Sequence, residues 1–248
     1  MFTDTSVGTK LVTENTTDIS QRAAAVIAGA GILLMVIPPI FAGSVVSGAL
    51  IPGDAVATAQ NILANEMQFR LAILSFLVVI VLDVIVSWGL YLFFKPVNRS
   101  LSLLAAWFRL LYTAVFAVAI LNLGNALYFL QSVGAMASLG TEQLQGQALL
   151  ALNAFNNSWD FGLALFGLHL ILVGYLVFKA GYMPWILGAL VVICGLGYTF
   201  DSVAGILFPD FGVTVSLVTF VGELLLALWL VIKGLSDKQW EKVALESA

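Results

Sequence analysis

The sequence predicts an all-α integral membrane protein, a six-helix bundle with both termini cytoplasmic. Three observations lead there. Hydrophobic residues make up 61% of the 248-residue chain and charged residues only 10%, whereas a soluble domain carries about 25% charged residues. Six apolar segments reach the length of about 20 residues that a helix needs to cross the hydrocarbon core. Lysine and arginine gather on alternate connections between those segments. One soluble core cannot hide so much apolar surface, so lipid must cover part of it.

The six segments are 23–50, 69–94, 101–130, 159–178, 184–208 and 213–232. The first contains Pro38 and Pro39. Proline lacks a backbone N–H and clashes with the preceding turn, which predicts a kink or break there. The first connection, 52–70, holds a helix pattern with Asp54 placed to cap it. Val56, Leu63 and Met67 share one side of that helix, which is expected to lie on the membrane surface. The stretches 95–99 and 179–184 are expected to be tight turns. In the long connection 133–158, Thr141 is placed to cap a helix with Leu144, Ala148, Leu152 and Phe155 as its apolar stripe. This divides the chain into a polar segment (1–21), a six-span membrane domain (22–233) and a charged tail (234–248). A cleavable leader is not expected, because the first 21 residues are polar and the apolar run after them exceeds a signal h-region.

With the N-terminus inside, Lys10, Arg22, Lys95, Arg99, Lys179, Lys233, Lys238 and Lys242 are all cytoplasmic. Arg70 lies outside and Arg109 within the third span. That asymmetry sets the orientation. Trp107, Trp159, Trp185 and Trp229 fall near span ends, as interfacial anchors would. Small residues recur every seven positions, at Gly167, Gly174 and Gly181 and again at Gly188, Gly195 and Ser202. Such spacing predicts close packing of spans four and five, or a face for self-association into a homo-oligomer.

Few ionisable residues fall at bilayer depth, where each costs about 2.5–3.5 kcal/mol. At about 1.5 Å per residue, Asp83, Arg109, His169 and Glu223 lie about 12–18 Å from the inside edge and can meet in one plane. Arg109 is the natural partner of Asp83 or Glu223, and Tyr112 shares the face of Arg109. An outer layer contains Asn122, Asn125, Asn153, Asn156, Asn157, Asp160 and Asp201. Asp160 and His169 differ by nine residues, so they point opposite ways. The candidate cavity or binding residues are therefore Asp83, Arg109, Tyr112, Asn122, Asn125, Asp160, His169, Asp201 and Glu223. The alternative is that the deep charges form a structural ion-pair network, with His169 making a helix-to-helix hydrogen bond and the outer asparagines and Asp160 simply wetted.

Several function classes are excluded by what the sequence lacks. It has no Walker loop, HExxH, CxxC or GxSxG motif. One histidine cannot supply bis-histidine haem ligation or a three-histidine zinc site. The single cysteine cannot form an internal disulfide. No metal or cofactor is expected, although His169, Asp83 and Glu223 are suitable ligand types for a mixed site. A net charge of −4, dispersed along the chain, does not suggest nucleic acid. Three functions remain open. The first is binding or moving a small molecule, ion or lipid headgroup through an outward-opening polar cavity. The second is an intramembrane enzyme acting on a lipid, with Glu223 or His169 as general base. The third is a structural or signalling membrane subunit.

The strings IPGDAVATAQNILANEMQFRLAI (51–73), LYLFFKPVNRSLSLLAAWFRLLY (90–112) and FGLHLILVGYLVFKAGYMPWILGALVVICGLGYTFDS (166–202) resemble a family of bacterial multi-pass proteins, domain of unknown function 4386. The likeness covers roughly residues 22–233. It implies a single-domain, multi-pass protein of the prokaryotic plasma membrane and brings no established activity. Asp54, Arg109, His169, Pro184 and Asp201 lie within family-like strings. Trp185 stands where such proteins more often carry a basic residue.

Overall fold

The computed structural model describes residues 19–132, 139–208 and 214–236. The segments expected at 1–21 and 234–248 fall mostly outside these residues, as does 133–138 of the long connection. The described residues form α1 (Gln21–Leu34), α2 (Ile37–Ala49), α3 (Ala55–Ala64), α4 (Glu66–Phe94), α5 (Arg99–Gln131), α6 (Thr141–Lys179), α7 (Trp185–Leu207), α8 (Ser216–Thr219) and α9 (Val221–Gly234). Among the described residues, five stretches are long and apolar enough to cross a membrane: α1 with α2, then α4, α5, α6 and α7. Leu74, Leu77, Val81 and Val84 on α4 and Val118 and Leu121 on α5 are exposed. Water would not tolerate so continuous an apolar surface, and lipid does.

The sixth expected span is shorter and divided. Its two helices, α8 and α9, have four and 14 residues, and 14 residues rise only about 21 Å. At Phe220 the ladder tightens, because the Glu223 N–H donates to the Phe220 carbonyl three residues back at 3.1 Å. Close packing against α7 accompanies the break. A Cβ on Gly222 would strike the Leu190 carbonyl, and one on Gly197 would strike the Thr219 hydroxyl.

Several local expectations hold. The first span breaks at Met35–Val36, and Pro38 falls in the first turn of α2, where a missing N–H costs nothing. Asp54 caps α3, its Oδ1 accepting from the Ala57 N–H at 2.9 Å. Val56 and Leu63 are exposed on it, but Met67 is on α4, because the helix breaks at Asn65. Residues 95–98 turn tightly into α5, where Asn98 Oδ1 caps by accepting from the Leu101 N–H at 3.0 Å.

Thr141 differs from expectation. It is the first residue of α6, preceded by Gly140 at φ 72, and makes no cap. Nothing interrupts the helix between Thr141 and Lys179, so the connection and the fourth span are one rod of 39 residues. At about 58 Å it is nearly twice the hydrocarbon thickness. Its first half packs on α3 and α5, burying Leu144, Ala148, Leu152 and Phe155.

The three longest helices bury residues at alternating steps of three and four. On α4 these are Phe69, Ala72, Phe76, Val79, Asp83, Val86, Leu90 and Phe93. On α5 they are Ser102, Ala105, Arg109, Tyr112, Phe116, Ala119, Leu123, Ala126 and Leu130. On α6 the same stripe carries Phe155, Gly162, Phe166, His169 and Val173. This period gives helices a shared seam, and the charged residues lie in it.

Spans four and five form the close hairpin that the glycine spacing predicts. A Cβ on Gly195 would stand 2.5 Å from the Gly167 carbonyl, and one on Gly188 2.9 Å from the Gly174 carbonyl. Gly181 has another role: it sits in the α6–α7 turn at φ 68, a backbone conformation that favours glycine, in open space. At that end of the bundle Gln21 Nε2 donates to the Phe93 carbonyl and to the Tyr182 hydroxyl. Arg22 Nε donates to the Gly234 carbonyl, tying α1 to the end of α9.

Candidate functional site

Four helices deliver ionisable side chains to one place in the seam. Arg109, from α5, is 1% exposed, and Asp83, from α4, is 2% exposed. Arg109 Nε and Nη2 both reach Asp83 Oδ1, at 2.9 and 2.7 Å. Nη1 lies 3.3 Å from His169 Nε2 and 3.5 Å from Glu223 Oε1. The guanidinium carbon stands 5.1 Å from the centre of the Phe166 ring, a cation–π contact with a desolvated face. Asp83, Arg109, His169 and Glu223 therefore meet, as depth counting predicts.

The hydrogen bonds define the state of His169. Its Nδ1 lies 2.8 Å from the Ala105 carbonyl, which can only accept. Nδ1 therefore carries the proton and donates. Nε2 faces an arginine N–H, which can only donate, so Nε2 accepts and the ring is neutral. Both ring nitrogens are occupied, leaving no free base. Ser87 Oγ donates to the Ala106 carbonyl at 3.0 Å and Thr113 Oγ1 to the Arg109 carbonyl at 2.8 Å. These bonds fasten the backbone beneath the cluster. Asp83 Oδ2 is, among the described residues, the buried side-chain oxygen without a hydrogen-bond partner. The Glu223 side chain is 15% exposed, more than any other member.

Tyr112 borders the cluster, stacked on Phe116 and packed against Phe166, with ring centres 6.0 and 4.9 Å apart. Beyond it, toward the α3 end of the bundle, the seam is filled by Phe76, Phe116, Phe155 and Trp159. The Trp159 ring centre is 4.4 Å from that of Phe116, so Trp159 packs inside rather than anchoring at the interface. Trp107 and Trp185 are well exposed.

The other expected site residues are elsewhere. Asn122 bonds back to the Val118 carbonyl on its own helix, and Asn125 and Asp160 are exposed. All three fall off the seam, so the helix turns them away from the charges. Asp201 has structural work: its Oδ1 accepts from the Val215 N–H at 2.9 Å and its Oδ2 from the Ser216 N–H at 2.7 Å. It thereby caps α8 from across the chain. Sequence reasoning missed Phe166 and the Ala105 carbonyl. Phe166 was detectable three residues before His169 on the same stripe, whereas a carbonyl has no signature in sequence.

No group of three or more His, Cys, Asp or Glu side chains arranged to hold a metal occurs among the described residues. Asp83, His169 and Glu223 converge on the Arg109 guanidinium, which takes the position a cation would fill. One groove lies apart from the charges. Half-open and 360 Å³ in volume, it runs between α2, α3 and α4, lined by Ser44, Asn61, Asn65 and Gln68 over Val45, Ile62 and Phe69.

The profile of a family described as a domain of unknown function (DUF4386) matches residues 27–234. The chain belongs to this family. That span of DUF4386 takes in all four members of the charge cluster. An uncharacterized protein of the archaeon Archaeoglobus fulgidus is 36% identical over 163 residues, covering 66% of this chain and 83% of the relative. No solved structure matches. This DUF4386 protein is a membrane protein by the length and composition of its helices.

Proposed function

We propose that this protein crosses the membrane six times, with both termini cytoplasmic, and binds and moves a small ion at the Arg109 cluster. One observation carries this reading: a fully buried arginine meets two carboxyls and a neutral imidazole from three other helices. Each such group is costly in a bilayer, and intramembrane charges of this kind commonly mark ion pathways. In this reading α8 and α9 together make the sixth crossing, their 19-residue stretch from Ser216 to Gly234 rising about 28 Å. Lys and Arg placement supports the orientation. The archaeal relative supports a prokaryotic plasma membrane.

The cluster is closed, and the aromatic layer of Phe76, Phe116, Phe155 and Trp159 closes the α3 end. Transit therefore requires those rings to move, while Glu223 offers the more open approach. The test is flux in liposomes containing purified protein, under an imposed potential, with indicators for protons, sodium, potassium and chloride. Wild type should pass one of these, and Arg109→Gln should not. Vesicles no more permeable than empty ones to all four ions would refute the proposal.

A second reading rests on the 360 Å³ groove, where a small lipid-like molecule could place a polar head against Asn61, Asn65 and Gln68. Photo-crosslinking of a lipid probe to those residues tests it. A structural or signalling subunit, or self-association, would need another face: Gly167, Gly174, Gly188 and Gly195 already face one another.

A further inference from the structure

We infer that the ion is a proton, and that it resides on Glu223 because the charges of the cluster do not otherwise balance. This rests on the reading of the cluster as an ion site. One guanidinium faces two carboxyls, while His169 is held neutral by its two hydrogen bonds. With both carboxyls ionised the core would hold an uncompensated negative charge, which a low-dielectric interior strongly disfavours. One proton removes it.

Geometry selects the carrier. Asp83 takes two contacts from Arg109, at 2.9 and 2.7 Å, whereas Glu223 has one at 3.5 Å. Asp83⁻ with Arg109⁺ is thus the neutral pair, and Glu223 is the surplus carboxyl. Its side chain is also the most exposed of the four, at 15%. The exchange is simple: hydronium gives its proton to a Glu223 carboxylate oxygen, forming an O–H bond and leaving water. The groups facing the cluster, among the described residues, are Tyr112 on α5, His169 on α6, and Tyr198 and Cys194 on α7. On α1 the one charge is Arg22, which is bonded to the far end of α9. None of these supplies a second cation. A metal cation would need about six oxygen ligands, and the guanidinium already engages both carboxyls.

The experiment is infrared spectroscopy of the purified full chain in liposomes, following the C=O stretch of protonated carboxyl groups from acid to alkaline pH. Wild type should show that band at neutral pH and lose it on alkaline titration. Glu223→Gln should abolish it. Asp83→Asn should abolish it too, because Glu223 then becomes the sole counter-ion of Arg109 and ionises. A wild-type spectrum without the band at neutral pH overturns the inference whether or not either variant folds. A band that survives in folded Glu223→Gln overturns the assignment to Glu223. Survival in folded Asp83→Asn overturns the charge-balance argument. Sodium or chloride flux without the band would defeat the proton and keep the ion site. A band with no flux of any ion would defeat the transport reading and keep the proton.

Discussion

Arg109→Leu is the most direct perturbation of the core. Leucine fits a helix and a lipid-level seam, so backbone propensity is not at issue. What changes is electrostatic. Asp83 Oδ1 loses both of its donors, at 2.9 and 2.7 Å, and Asp83 Oδ2 already has none. His169 Nε2 loses its donor and Glu223 its contact at 3.5 Å. Removing one partner of a buried pair costs about 3–5 kcal/mol. For a chain of this size each kcal/mol lowers Tm by about 2–4 °C, so a loss of roughly 6–20 °C is expected. The assay is thermal unfolding of purified protein in a mild detergent, followed by helical circular dichroism. The decisive comparison is the triple variant Arg109→Leu, Asp83→Leu, Glu223→Gln. Replacing the charges together leaves no buried charge without a counter-ion, although His169 Nε2 still lacks its donor, so it should be more stable than the single variant. If Arg109→Leu melts within about 2 °C of wild type, or if the triple variant is the less stable, the four side chains do not act as one coupled unit.

Other sites give smaller and more local outcomes. Gly195→Ala should cost about 1–3 kcal/mol, since the new Cβ meets the Gly167 carbonyl at 2.5 Å and the Ile171 nitrogen at 2.8 Å. Gly43→Ala, with nothing within 4 Å, should be neutral or stabilise by about 0.5–1 kcal/mol, and paired unfolding curves check both. Asp201→Ala removes the acceptor for the Val215 and Ser216 N–H groups. It should cost about 0.5–2 kcal/mol and speed hydrogen exchange at those two amides. Ser87→Ala, losing the bond to the Ala106 carbonyl, should cost about 0.6 kcal/mol, as cross-helix bonds in membranes average. A drop above about 2 kcal/mol in the same melting assay would mean that Ser87 does more than fasten α4 to α5.

The four deep residues were found by counting depth, and depth counting is sound because an α-helix rises uniformly per residue. It says nothing about direction around the helix. The alternation of three and four along α4 and α5 carries that information, and it separates Arg109 and Tyr112 from Asn122 and Asn125. Asp160 likewise falls off the stripe that runs through Phe155, Gly162 and Phe166. Asp201 could not be read this way, because its partners are the amides of residues 14 and 15 positions later, beyond the end of α7.

Apolar length, the positions of Pro38 and Pro39, the Asp54 cap and the paired glycines determined a helical membrane protein with a broken first span and a close α6–α7 hairpin. Those features are local or periodic, and the physics behind them acts within a few turns of one helix. Only the tertiary structure decided that α6 continues unbroken from Thr141, that the last segment divides at Phe220, and that four ionisable side chains share one closed site beneath a layer of aromatic rings. Each of these depends on which atoms of distant helices occupy the same space. No residue-by-residue pattern carries that, since the donors, carbonyls and rings concerned become neighbours only when the helices pack.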